Sequence, residues 1–363
     1  MLVLGIVPLW LLPSAQPRLG KVRSPPPAAV AAPVERDEWG NYLYRPALDT
    51  TPRAIVHFLG GAFVGAAPQL CYSELLERLA SEGYVVVATP YELKFDYLRL
   101  CEEVLRRTEP SHQQLCEEFG DLPLVGVGHS CGALLHVIAT SIFRTTGGFA
   151  DIPRKANVLI SFNNKRASDA VPFFSALVTP AASSLLQLEK GVPLAVTQAI
   201  LRARTQLKLI ATGGNKQEGK PPGLADGRAK ELASLAVQTL PIIEQIVPIL
   251  REIDSGCKEF SPTPSDTREA VALLYNSDNT LILRFDQDTI DESPQLAAMM
   301  QGVSGVRMQV LPGSHVTPLT VRIVELPELE DVFFLPEILA PARDLQFNAT
   351  CTLVAQYLDS VLQ

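Results

Sequence analysis

This sequence of 363 residues lacks the motifs that mark several classes of binding protein. It contains no phosphate-binding loop, and none of its six cysteines belongs to a Cys-x-x-Cys pair or lies at zinc-ligand spacing from another cysteine or histidine. It has no basic stretch interleaved with aromatic residues, and its net charge of −8 argues against nucleic acid or an anionic membrane as the main partner. The sequence therefore predicts no metal, no cofactor and no nucleic-acid partner.

The composition is that of a globular protein with a large core, since 47% of the residues are hydrophobic and 19% are charged. A chain of this length is expected to form one large α/β domain with an insertion. A protein of this size does not need disulfides, so we interpret the cysteines as mostly buried thiols in a reducing compartment.

Acidic residues are missing from the first 34 positions. Residues 2–12 are apolar but too few to form a membrane span, and they resemble the apolar part of a signal peptide. Arg18, Lys21 and Arg23 follow among Ser, Pro and Ala, as in an organelle transit peptide. We expect residues 1–34 to be a targeting leader without stable structure, and the mature protein to have no stable membrane span. The leader favours a plastid, with the cytoplasm or the secretory pathway as alternatives, and an incorrectly assigned start codon is another explanation of it.

Strand and helix patterns alternate between residues 52 and 319. Strands are predicted at 53–59, 84–89, 122–128, 157–162, 280–285 and 306–311, and helices near 70–82, 96–108 and 131–142. This alternation predicts an α/β fold with a mostly parallel central sheet flanked by helices. The body is assigned to residues 35–164 and 256–363, with a closing helix near 345–362.

Residues 165–255 interrupt that alternation. They predict helices at 185–190, 193–210 and 229–253, the last interrupted or kinked by Pro241 and Pro248. We interpret this segment as a helical lid insertion. Its apolar residues either line a pocket for an apolar substrate or pack the lid onto the body.

The segment Gly128-His129-Ser130-Cys131-Gly132 lies between a predicted strand and an apolar helix. Gly-x-Ser-x-Gly in that context predicts a nucleophile elbow, in which the glycines let strand and helix cross closely and the serine adopts a strained conformation. Ser130 is then the predicted nucleophile. The backbone N–H of Cys131, at the start of the helix, is a predicted donor to an oxyanion.

Histidines are scarce, with five in the chain. In this arrangement the general base follows the nucleophile in sequence, and His136 lies on the elbow helix itself. His315, on a Pro-Gly loop after the predicted strand at 306–311, is therefore the predicted base. The competing interpretation is an exposed loop histidine.

The acid is expected on the loop after the predicted strand at 280–285. Asp286, Asp288 and Asp291 all lie there. Asp288 is the first choice because it begins an Asp-Thr-Ile sequence, 27 residues before His315, and Asp286 is the alternative. The remaining aspartates are interpreted as turn residues.

A glycine-containing loop, residues 60–65, follows the predicted strand at 53–59. Such a loop supplies a second oxyanion donor, here the backbone of Gly61 or Ala62. A glycine turn without a ligand is the alternative. Candidate pocket residues near these elements are His57, Phe63, His129, Asn163 and Asn164, with local capping as the alternative for the two asparagines.

Several of these segments resemble conserved blocks of the family catalogued as domain of unknown function 1350, found in cyanobacteria and photosynthetic eukaryotes. The blocks are 55–68, 88–96, 126–132, 162–164, 259–264 and 311–319, which together span roughly residues 53–320. The resemblance implies an α/β-hydrolase fold and often a plastid setting, and it implies no known substrate. The chain departs from the family in having Cys131 where Met or Leu is common, and in its oxyanion loop.

Two functional hypotheses follow. The first is a serine hydrolase that cleaves a small-molecule ester or thioester with a lipid-like acyl group. The second is a non-catalytic or weakly catalytic binding or scaffold protein in the plastid. Lyase or peroxidase chemistry on the same scaffold is a third class, because a fold does not determine a reaction.

Overall fold

The computed structural model describes residues 34–143, 153–170, 245–319 and 343–363. Eight strands in these residues form one sheet in the order β1-β2-β4-β3-β5-β6-β7-β8. The strands are β1 (Glu35–Arg36), β2 (Tyr42–Tyr44), β3 (Ile55–Leu59), β4 (Val85–Ala88), β5 (Leu124–His129), β6 (Arg154–Ile160), β7 (Thr280–Phe285) and β8 (Val306–Leu311).

The sheet is parallel from β4 to β8, while β1 and β2 form an antiparallel edge. Strands β3, β4 and β5 are buried along their whole length, as expected when helices cover both faces of a parallel sheet. This strand order, together with a strand–elbow–helix at β5, is the α/β-hydrolase fold, so the predicted fold is confirmed.

The helices cover the two faces of the sheet. They are α1 (Pro68–Cys71), α2 (Ser73–Ser81), α3 (Tyr97–Phe119), α4 (Cys131–Ile138), α5 (Ala167–Ala170), α6 (Ile246–Asp254), α7 (Pro264–Leu274), α8 (Ser293–Met299) and α9 (Arg343–Val361). A short helical turn at Val64–Ala66 follows β3, and a wide helical turn at Ala139–Phe143 extends α4.

The sequence predicted the parallel strands better than the helices and the sheet edge. Strands β7 and β8 begin and end where predicted, whereas β6 begins three residues before the predicted strand at 157–162. Helix α3 continues eleven residues past the predicted end at 108, through Pro110. An internal proline costs about 3 kcal/mol, and burial of residues such as Leu115 beyond it offsets that cost. Strands β1 and β2 and helices α7 and α8 were not predicted.

Most of the predicted insertion, residues 165–255, and all but the last residue of the predicted leader, residues 1–34, lie outside the described residues. The described ends of the insertion are α5 and α6. Pro248 lies in the first turn of α6, where its missing N–H removes no intrahelical bond, so it does not kink this helix. All six cysteines are free, and four of them are buried, as the composition predicted.

Candidate active site

The turn between β5 and α4 is a strained and closely packed elbow. Ser130 has φ 56° and ψ −118°, a conformation that non-glycine residues rarely adopt. A Cβ at Gly128 would lie 2.5 Å from the carbonyl oxygen of Gly132, and one at Gly132 would lie 2.1 Å from the carbonyl oxygen of Leu59. Both positions therefore require glycine, because strand, helix and the end of β3 approach there without room for a side chain.

Within the described parts of the chain, the backbone N–H of Ser130 is hydrogen-bonded, whereas its side-chain hydroxyl is not. Its N–H donates to the carbonyl oxygen of Ile160 at the end of β6, 2.9 Å away. Its hydroxyl makes no hydrogen bond to any other described residue. The neighbouring His129 lies beside His315, with ring centroids 4.9 Å apart.

His315 and Asp288 are joined by a hydrogen bond between the loops after β8 and β7. The distance from His315 Nδ1 to Asp288 Oδ2 is 2.8 Å. The Asp288 side chain is 0% exposed and that of His315 is 17% exposed. Because a carboxylate can only accept, Nδ1 of His315 carries the proton, and Nε2 is the nitrogen able to accept another.

The surroundings of Asp288 keep it ionised. Burial alone would raise its pKa, but the hydrogen bond and charge of His315 and the hydrogen bond from the N–H of Ile290 act against burial, and the pKa is lowered. The Ile290 N–H lies 3.1 Å from Asp288 Oδ1. An ionised carboxylate held in this way fixes the orientation of the imidazole.

The structure does not bring the other two aspartates of this loop to His315. Asp286 is exposed, and its Oδ1 accepts a 3.0 Å hydrogen bond from the N–H of Gly313. Asp291 Oδ1 accepts a 2.5 Å hydrogen bond from the hydroxyl of Ser293, and Asp291 Oδ2 lies 3.4 Å from Nε of Arg284. Both serve as anchors of the loops that carry Asp288 and His315.

His129 connects the oxyanion loop to the loop of His315. Its Nε2 donates to the carbonyl oxygen of His315 at 2.8 Å, so its Nδ1 accepts from the hydroxyl of Tyr72, also at 2.8 Å. Burial and the nearby His315 lower the pKa of His129 to about 3, which keeps it neutral. The predicted pocket residue His129 therefore occupies a fixed place in the hydrogen-bond network.

The oxyanion loop after β3 lies against the elbow. A Cβ at Gly61 would be 3.4 Å from the Cβ of Ser130. The N–H of Gly61 already donates to the hydroxyl of Tyr72 at 2.7 Å. The N–H groups of Ala62 and Cys131 have no acceptor among the described residues. Of the three predicted oxyanion donors, Ala62 and Cys131 therefore have N–H groups available to a ligand, whereas the N–H of Gly61 is already hydrogen-bonded to Tyr72.

A strained turn follows Ala62. Phe63 has φ 61° and ψ −60°, and the N–H of Val64 donates to the carbonyl oxygen of Ala62 at 2.7 Å. This is the γ-turn with positive φ, which is rare and strained. Phe63, a predicted pocket residue, is half-buried at this turn.

Side chains from other elements hold the loop in place. The hydroxyl of Tyr91 donates to the carbonyl oxygen of Gly60 at 2.6 Å, and Nε2 of Gln245 donates to that of Phe63 at 2.7 Å. Sequence reasoning did not identify Gln245. Its one signal was a glutamine within the apolar run near 240–250.

The two asparagines after β6 brace neighbouring loops. Asn163 Nδ2 donates to the carbonyl oxygen of Ile290, and the N–H of Asn164 donates to Glu292 Oε2. They therefore support the loop that carries Asp288.

His57, also a predicted pocket residue, is not brought to the site. It is fully buried within the sheet layer, where its ring contacts Thr108 and Arg154. It is a residue of the core.

In the described residues, no three His, Cys, Asp or Glu side chains are grouped so that they could hold a metal ion. In those same parts of the chain, no helix combines the length and apolar character needed to cross a bilayer.

Several solved structures resemble this one. An esterase from Pseudomonas putida has a TM-score of 0.49 and 13% identity, covering 92% of this chain and 82% of its own. A carboxyl esterase from the fungus Tuber melanosporum has a TM-score of 0.47 and 16% identity, covering 89% and 83%. The thioesterase domain from the curacin biosynthetic pathway has a TM-score of 0.40 and 14% identity, covering 81% and 97%. These likenesses say nothing about the activity of this chain.

No curated protein matches the sequence. The profile of one family matches residues 36–201 and 229–325, which together make up more than half of the chain. The chain therefore belongs to the family described as "Protein of unknown function (DUF1350)".

Proposed function

We propose that this protein is a serine hydrolase that cleaves an ester or thioester through an acyl-enzyme on Ser130. The observation that carries the proposal is the 2.8 Å bond between His315 Nδ1 and buried Asp288. The His315 ring also lies 4.9 Å from that of His129, the residue before the strained Ser130 at the elbow. Nucleophile, base and acid follow in the order Ser, Asp, His, which suits this fold.

In the first half of the reaction, Nε2 of His315 accepts the proton of the Ser130 hydroxyl as Oγ attacks the carbonyl carbon. Asp288 stabilises the imidazolium. The N–H groups of Ala62 and Cys131 donate to the oxyanion, where each such donor is worth about 3–4 kcal/mol. The C–O or C–S bond then breaks, and the alcohol or thiol leaves with the proton from His315.

In the second half, water attacks the acyl-enzyme. His315 accepts a proton from the water, a second tetrahedral intermediate forms at the same two N–H groups, and the C–O bond to Ser130 breaks. Ser130 recovers its proton from His315, and the carboxylic acid departs. The lipid-like acyl group remains part of the proposal, supported by the apolar composition of residues 240–250.

The second candidate is a binding protein that retains the fold without efficient turnover. The observation that favours it is the unengaged hydroxyl of Ser130, which is not hydrogen-bonded to His315. Such contacts are often loose without a substrate and tighten when one binds.

A fluorophosphonate probe separates the two candidates. It should label the full chain covalently, and Ser130→Ala should remove the label. Ser81→Ala, at an exposed serine on α2, is the matched control and should label like the wild type. Folded wild-type protein that takes up no probe would support the binding protein instead.

We also propose a plastid location, supported by the acid-free, basic leader. Residues 1–34 fused to a fluorescent protein should direct it to plastids. Cytoplasmic or secretory fluorescence would contradict this.

A further inference from the structure

Gln245 lies just before α6 and connects two segments at the carboxyl edge of the sheet. It is 1% exposed, and both ends of its side-chain amide are used. Its Oε1 accepts from the N–H of Leu93 at 2.8 Å, and its Nε2 donates to the carbonyl oxygen of Phe63 at 2.7 Å. A buried amide with both ends engaged is firmly oriented.

The bond to Phe63 meets the oxyanion loop at its most strained point. A non-glycine residue at φ 61° relaxes to negative φ unless neighbouring groups hold it. The bonds from Tyr72 and Tyr91 hold Gly61 and Gly60, before the turn. The carbonyl oxygen of Phe63 accepts from the backbone N–H of Ala66 at 3.1 Å, and among the described side chains it is Gln245 that donates to it.

The conformation of Phe63 also affects the direction of the Ala62 N–H. Ala62 is the first residue of the γ-turn, and its carbonyl oxygen accepts from Val64. If Phe63 relaxed, that bond would break and the peptide groups on either side would rotate. The Ala62 N–H shares its peptide group with the carbonyl oxygen of Gly61, which accepts from the N–H of Gly65 across the turn at 2.7 Å. Relaxation of Phe63 would disturb that bond as well and so release the peptide group that carries the Ala62 N–H.

We infer that Gln245 is a positioning residue for the oxyanion hole: it maintains the γ-turn at Phe63 and thereby aims the Ala62 N–H. This inference rests on the proposed hydrolase function. It also ties the helix that ends the insertion to the loop that stabilises the transition state.

The expected signature is a loss in turnover rather than in binding, because an oxyanion donor acts mainly in the transition state. Gln245→Leu should lower kcat on p-nitrophenyl butyrate by about 10- to 100-fold with KM changed less, below the loss of about 10²–10³ seen when a donor is removed outright. Gln245→Glu keeps an acceptor for the N–H of Leu93 but places a carboxylate oxygen against the carbonyl oxygen of Phe63. We therefore expect it to lower kcat by a similar factor. Gln113→Glu, at an exposed position of α3, is the matched control.

A second substitution tests whether the turn is the reason. Glycine adopts positive φ without strain, so Phe63→Gly should reduce the need for Gln245. Adding Gln245→Leu in the Phe63→Gly background should lower kcat by less than about 3-fold, since coupled residues are not additive. An equal fold-change in both backgrounds would overturn the inference, and thermal melts identify any variant that fails to fold.

Failure of the proposed function can be distinguished from failure of this inference. If the wild type neither hydrolyses the ester nor takes up the fluorophosphonate, the hydrolase proposal fails. Crystal structures of wild type and Gln245→Leu then decide the structural part: Phe63 should move to negative φ in the variant. A positive φ retained at Phe63 would overturn the role of Gln245, whatever the activity.

Discussion

The molecule contains two pairs of neighbouring histidines with different surroundings. His129 and His315 lie at the carboxyl edge of the sheet, with ring centroids 4.9 Å apart at 47°. His57 and His136 lie in the interior, with centroids 5.1 Å apart at 85°. The rings are spaced similarly in the two pairs, but the groups around them differ.

The first difference is the charged partner. His315 faces Asp288 at 2.8 Å, and a carboxylate stabilises the protonated ring. The interior pair faces Arg154, whose Nη2 lies 3.2 Å from His57 Nδ1. Burial, and then Arg154, lower the pKa values of His57 and His136 well below 6.5.

The second difference is access to water. The His315 side chain is 17% exposed, whereas His57 and His136 are fully buried. The interior rings serve as neutral hydrogen-bonding groups, with His136 Nε2 donating to the carbonyl oxygen of Val127. A partly exposed histidine with a carboxylate is suited to proton transfer, and a buried one beside an arginine is suited to structure.

The largest expected effect comes from removing the carboxylate of the site. Asp288→Asn should lower kcat by about 10⁴-fold, because an amide neither stabilises the imidazolium nor fixes the tautomer. Asp286→Asn is the matched control, since its amide oxygen still accepts from Gly313, and kcat should change less than about 10-fold. Steady-state ester hydrolysis measures both, and equal losses would contradict the assignment of Asp288.

A smaller effect is expected at Tyr72, which links His129 to the oxyanion loop. Tyr72→Phe leaves the buried Gly61 N–H without its acceptor and should cost about 1–3 kcal/mol of unfolding free energy. It should also lower kcat through the loosened loop. Tyr84→Phe removes a hydroxyl that binds Asp359 and should leave kcat unchanged. Chemical denaturation and ester hydrolysis measure the two effects, and a variant as active and stable as wild type would contradict this role.

How far the sequence predicts the site depends on how local each contact is. The elbow at Ser130 is readable because strand, glycines and helix are consecutive in sequence. The sequence favours Asp288 over Asp286 only through its Asp-Thr-Ile pattern and leaves Asp286 as an alternative, since both follow β7. Only the contact of Asp286 with Gly313, 27 residues away, leaves Asp288 to face His315.

Contacts between residues far apart in the chain could not be predicted from the sequence. His57 is predicted as a pocket residue because it lies close to the glycine loop in sequence, but Thr108 and Arg154, 51 and 97 residues away, bind its ring in the core. Gln245 contacts Phe63 across 182 residues. Local patterns predict strands and turns, whereas these partners depend on how distant helices pack onto the sheet.

The smallest expected effect tests whether the interior pair is neutral, through the response of His57 to acid. A histidine whose folded pKa is lowered binds no proton when folded but binds one when unfolded below its ordinary pKa of 6.5. Its neutral burial therefore stabilises the protein above pH 6.5, and that stability is lost as the pH falls below it. Each such histidine contributes a slope of about 1.4 kcal/mol per pH unit. His57→Gln keeps an acceptor for Arg154 and a donor for Thr108 but does not titrate, so its unfolding free energy should fall less steeply between pH 6.5 and 5 than that of wild type. Urea unfolding at a series of pH values measures the slopes. At pH 8, where His57 is neutral in the folded and unfolded chain, the difference in unfolding free energy between wild type and His57→Gln gives the packing cost of the substitution alone. Parallel curves for variant and wild type would show that His57 takes up its proton in the folded state, which would contradict its role as a neutral hydrogen-bonding group.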